Sequence, residues 1–94
     1  MGPTCVATLP YEIDGKARDA VDAILRRFAD PVKDTRKGRA WEIWLGDQPV
    51  SIRVVDGEIS LAAACNSQES YSALRHLGQQ LATELGGIAS EPIK

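Results

Sequence analysis

A nucleophilic thiol needs a base or a cation beside it. The chain offers two cysteines, Cys5 and Cys65, and a single histidine, His76. Cys65 is the better placed of the two thiols. It closes a strand-like alternation just before a helix start, where free amides and the helix dipole favour a thiolate. Its partners are missing. His76 falls on the same helix, about three turns further on and opposite the apolar stripe, so it should face solvent. Tyr71 stands where a phosphatase-type loop would carry an arginine. Alternation also points Cys65 inward with Ile59 and Leu61, and free cysteine commonly behaves as a small buried hydrophobe. A structural thiol is therefore expected, and a thiol enzyme at Cys65 is the weakest of three functional readings.

Other catalytic patterns are absent from the sequence. One histidine and two distant cysteines match no metal-site spacing, so no metal is expected. No glycine-rich nucleotide fingerprint occurs, and no cofactor is expected. Glu12, Glu42, Glu58 and Glu84 form no pair that could share acid and base roles. Together these gaps favour a non-enzymatic module.

The second reading is an anion- or nucleic-acid-binding module using the basic loop at residues 33–39. Lys33, Arg36, Lys37 and Arg39 would supply the positive charge, with Arg26 and Arg27 extending it. From Lys16 to Arg39 there are eight basic residues against four acidic ones, so a basic end sits on an acidic body. Against nucleic acid stand the isoelectric point of about 5.3 and an aromatic content of 5%.

The leading reading rests on Trp44. The strand pattern places it on a sheet face beside Ser51, Ala62 and Ala64. Small residues around a large ring leave a shallow apolar patch, whereas an open sheet face usually carries longer polar side chains. Such patches mark contact sites, and tryptophan is enriched among binding hot spots. The function expected from this is a small protein-binding or regulatory module. Its partner is another protein or a second copy of itself, a homodimer. The competing reading has Trp44 covered by the N-terminal segment or by the tail around Ile88–Ile93, or lying flat on the sheet.

The elements that would position these residues follow from periodicity. Cys5 to Ile13 reads as a strand with Cys5, Ala7 and Leu9 on one face, and Pro10 makes it an edge strand or breaks it. Asp14 can cap a helix over Lys16–Ala29, whose stripe is Ala17, Val21, Ile24 and Phe28, widened by Ala20 and Leu25. Asp22 precedes Arg26 by four residues, the favourable order for an ion pair. Asp30-Pro31 ends that helix.

Three strands follow, as a meander. Trp41, Ile43 and Leu45 alternate with polar or outward residues, as do Val50, Ile52 and Val54, and then Ile59, Leu61, Ala63 and Cys65. Asp56-Gly57 is a two-residue hairpin signal that calls for positive φ at both positions, and it pairs Val54 with Ile59 and Ile52 with Leu61. A turn at Asp47-Gln48 would pair Ile43 with Ile52, Trp41 with Val54 and Glu42 with Arg53. A second helix opens on a capping box, Asn66 with Glu69 or Ser67 with Ser70. Its stripe is Tyr71, Leu74, Leu77, Leu81 and Leu85. Gly86-Gly87 stops it, with Ile88 placed for a cap contact.

The order β-α-β-β-β-α predicts an α+β two-layer sandwich, with a mainly antiparallel sheet and both helices on one face. Where the first strand joins the meander stays open. Across 94 residues, 44% hydrophobic and 26% charged with net charge −2, this is one globular domain, 1–94, with a short C-terminal tail at 89–94. No stretch is long and apolar enough for a membrane span, and the start resembles no signal peptide, so a cytoplasmic protein is expected.

Overall fold

The computed structural model describes residues 2–29, 32–34, 39–45 and 47–93. Eight elements run β1 (Thr4–Thr8), α1 (Gly15–Phe28), β2 (Val32–Asp34), β3 (Ala40–Leu45), β4 (Gln48–Val55), β5 (Glu58–Ala63), α2 (Gln68–Leu85) and β6 (Ile88–Ala89). The strands form an antiparallel sheet in the order β2-β3-β4-β5-β1-β6. The first strand therefore joins the meander at its last strand, β5, with Cys5 opposite Leu61 and Ala7 opposite Ile59. It is an interior strand. Pro10 lies just past its end, where a missing N–H costs no ladder bond.

Both helices cover one face of the sheet, as the pattern predicts. Trp41, Ile43, Val50, Ile52, Ile59, Leu61, Cys5 and Ala7 point into the core, each 3% exposed or less. Val21, Ile24 and Leu25 of α1 and Leu74, Leu77 and Leu81 of α2 close over them. Each fully buried aliphatic side chain contributes about 1.5–3 kcal/mol relative to exposure, so the two stripes hold the layers together. The helix starts are capped as expected. Asp14 accepts from the Ala17 N–H at 3.0 Å, and Ser67 accepts from the Ser70 N–H at 3.1 Å. Ser67 rather than Asn66 is the cap of α2. Ser70 is buried and also donates to Gln48, which ties the start of α2 to the start of β4.

The β3–β4 register differs from the sequence expectation by two residues. Leu45 faces Gln48, so Trp41 lies opposite Ile52, Ile43 opposite Val50, and Glu42 opposite Ser51. A slip of two keeps every apolar residue on its face, so the hydrophobic pattern could not tell the two registers apart. The Glu42–Arg53 pairing does not form: Arg53 faces Ala40, and Glu42 faces Lys33 of β2. At the other hairpin Val55 faces Glu58, around Asp56-Gly57. Only Asp56 of that turn takes positive φ, at 54°. Gly57 instead lies close against the chain that leads into α1. A side chain there would meet the Tyr11 carbonyl at 3.2 Å.

Two short strands lay outside the expected order. Val32–Asp34, read as part of a loop, pairs with β3, and Ile88–Ala89 pairs with β1. Ile88 is 79% exposed and makes no buried cap contact. Gly86 supplies the left-handed cap of α2, at φ 77°. The chain beyond β6 follows β1 further: Thr4 and Ile93 exchange both backbone bonds at 2.8 Å. No helix among the described residues is long and apolar enough to cross a membrane.

Candidate functional site

The face of the sheet away from the helices is built by the same alternation that fills the core. On β3 the inward residues are Trp41 and Ile43, so Glu42 and Trp44 must point outward. Trp44 is 49% exposed. Its register partner is Pro49, and Ser51, Ala62 and Ala64 lie beside it. Together they border a shallow groove of about 440 Å³, with Glu42 at one end. The four residues singled out in the sequence thus lie together. The proposed C-terminal cover does not reach the ring. The C-terminal strand sits at the opposite edge of the sheet, beyond β1. The N-terminal segment bonds Ala63 through the Pro3 carbonyl at 3.0 Å.

The rest of this face is small and polar with apolar outliers. Thr4, Ala62 and Ser51 form one cross-strand row, and Val6 and Ser60 belong to the next. Val55, Ile88 and Ile93 are exposed around it, at 59%, 79% and 69%. Among the described residues, Lys33 and Arg53 oppose Glu42 and Glu58 in sign on this face.

Cys65 is placed differently from the expectation. Strand β5 ends at Ala63, and Cys65 is exposed rather than inward. Alternation fails there because the chain has already left the sheet to enter α2. The buried thiol is Cys5, which donates to the Ser90 carbonyl at 3.2 Å. Burial pushes its pKa up, and the Ser90 side chain offsets part of that. His76 is exposed and meets the edge of the Phe28 ring, with centroids 5.6 Å apart. It approaches neither thiol as a base. Among the described residues, no group of His, Cys, Asp and Glu could hold a metal ion.

Of the basic loop, Lys33 belongs to β2 and faces Glu42, and Arg39 precedes β3. Arg36 and Lys37 lie outside the described residues. Arg39 lines a second and larger cleft, about 880 Å³, between the start of α1 and the β4–β5 hairpin. Arg18 and Arg53 line it too. Arg53 was paired with Glu42 by the expected register, so the two-residue slip hid this cleft from the sequence.

No protein-family model matches the chain, and no curated protein or solved structure matches it.

Proposed function

We propose that this protein is a small binding module whose open sheet face, centred on Trp44, packs against a second copy of the chain. The observation that carries the reading is Trp44 itself. A large apolar ring half in solvent stands over a floor of Pro49, Ser51, Ala62 and Ala64, on a face that neither helix covers. Small side chains let another sheet approach to the roughly 10 Å spacing of packed sheets. The molecule extends 32 × 25 × 20 Å. A face spanning the two longer extents would offer on the order of 800 Å², the amount each partner of a standard interface buries.

Charge supports a second copy over a charged partner. Among the described residues the face carries Lys33 and Arg53 against Glu42 and Glu58, so two such faces meet without net repulsion from these charges. The Trp44 ring would fill a shallow depression across the interface and leave water outside it.

Sedimentation equilibrium tests this. The wild-type chain is expected to shift from monomer to dimer as concentration rises, and Trp44→Arg to remain monomeric with unchanged circular dichroism. A wild-type chain that stays monomeric throughout, or a dimer that Trp44→Arg leaves intact, would overturn the reading.

A further inference from the structure

Six arginines lie among the described residues, and they divide cleanly. Arg26 holds Asp22, Arg27 holds Glu84 and Arg75 holds Glu91. Arg18, Arg39 and Arg53 make no ion pair among the described residues, and all three line the same cleft. They come from three separate elements: the first turns of α1, the approach to β3, and the middle of β4. Each guanidinium presents a planar fork of donors suited to an oxyanion. With no ion-pair partner among the described residues, their donors are open to an oxyanion.

Two carboxylates, Glu12 and Asp56, share the lining. Neither forms an ion pair among the described residues, so the lining keeps a net charge of +1 and three guanidinium forks without a bound carboxylate. Asp56 sits in the tight β4–β5 turn, at φ 54°. A carboxylate in such a place accepts hydrogen bonds from hydroxyl groups. Between the charges, buried Ile13 and Ala40 and half-buried Val54 form an apolar wall. At about 880 Å³ the cleft lies within the usual range for small-molecule sites.

We infer that this cleft binds a phosphate ester of a hydroxylated body, of sugar-phosphate or nucleotide size. The phosphate meets Arg18, Arg39 and Arg53, the hydroxyls meet Glu12 and Asp56, and the ring lies on the Ile13 side. The cleft borders the Trp44 face through Arg53, and the inference does not rest on the proposed dimer. The same phosphate chemistry could arrive on a free small molecule or along a nucleic-acid strand, and the experiment separates the two.

The test is an NMR titration of the arginine Nε–H and backbone signals with inorganic phosphate, ribose 5-phosphate, ribose and a short single-stranded oligonucleotide. Ribose 5-phosphate is expected to shift the three arginines and Glu12, to bind more tightly than inorganic phosphate, and to weaken with salt. Arg39→Gln and Arg53→Gln should each weaken it roughly tenfold, the loss of one charge-assisted hydrogen bond. Glu12→Gln should weaken ribose 5-phosphate and leave inorganic phosphate unchanged. Oligonucleotide binding at the same arginines, tighter than ribose 5-phosphate and steep in salt, would make the source a nucleic acid. Phosphates that leave the three arginine signals unmoved, or shift them equally in Arg39→Gln and Arg53→Gln, would overturn the inference.

Discussion

Trp41 and Trp44 lie on one strand, and they live in opposite worlds. Trp41 is 1% exposed, and its indole N–H donates to Asp22 of α1 at 3.1 Å. Trp44 is 49% exposed and rests on a face with no helix over it. The cause is the two-residue period of a strand: an odd spacing puts the two rings on opposite sides. On a helix the same spacing would have placed them side by side. One ring therefore holds the fold together, and the other is free to act. The lesson extends to the two faces of the sheet. The inner one is a continuous core, while the outer one is small, mixed in charge and open.

The comparison can be broken by truncation. Trp41→Ala should cost about 3–5 kcal/mol, the usual range for emptying a buried aromatic site. That is a large part of the stability of a domain this size and could unfold it. Trp44→Ala should move the stability of the monomer by less than about 0.5 kcal/mol. Urea denaturation at low protein concentration measures both. Similar losses for the two variants would mean that Trp44 is part of the core.

A smaller effect sharpens the account of the inner face. Gly78 lets α2 lie close on β1, and a methyl group there would stand 2.7 Å from the Cys5 sulfur. Gly78→Ala should therefore destabilise by about 1–3 kcal/mol through overpacking, despite the roughly 1 kcal/mol that alanine gains as a helix former. Cys5→Ala makes room, so the double variant should be more stable than the two single losses predict. The expected coupling is about 0.5–3 kcal/mol. Strict additivity would show that the contact does not limit the approach.

The thiols give a third contrast. Cys65 is exposed and Cys5 is buried with a raised pKa. A thiol reagent added to native protein should modify Cys65 quickly and Cys5 only on unfolding. Fast reaction at both would place Cys5 in the open and contradict the β1–β5 packing.

The smallest effect is electrostatic. The Asp22 pKa is lowered, first by the hydrogen bond from Arg26 and further by the one from Trp41. A carboxylate lowered in the folded state stabilises the fold above its ordinary pKa, 3.8, and that contribution is lost as the pH falls through the folded value. Asp22→Asn should cost up to about 1 kcal/mol at neutral pH. Acid denaturation curves should then become shallower. An unchanged acid limb would mean that the Arg26–Asp22 pair is silent.

Much of this was legible in the sequence, because period and turn chemistry decide most of it. Both helices, their stripes, the Asp14 cap and the β4–β5 register follow from local pattern. So does the grouping of Trp44 with Ser51, Ala62 and Ala64. What was hidden depends on tertiary context. The β3–β4 slip keeps every apolar residue on its face while it shifts each cross-strand partner by two, and it separates Arg53, which lines the arginine cleft, from Glu42. Strands β2 and β6 are three and two residues long, too short to show a period, and exist because a neighbour supplies their hydrogen bonds. Cys65 escaped because alternation was carried two residues past the end of its strand.

Iodide quenching of tryptophan fluorescence tests the central claim most directly. In dilute solution the anion should quench Trp44 and leave Trp41 protected. As concentration rises into the dimer range, the quenchable fraction should fall toward zero as a second face covers Trp44. A quenchable fraction that stays constant with concentration would show that no second copy covers the ring, and the proposed contact face would be wrong.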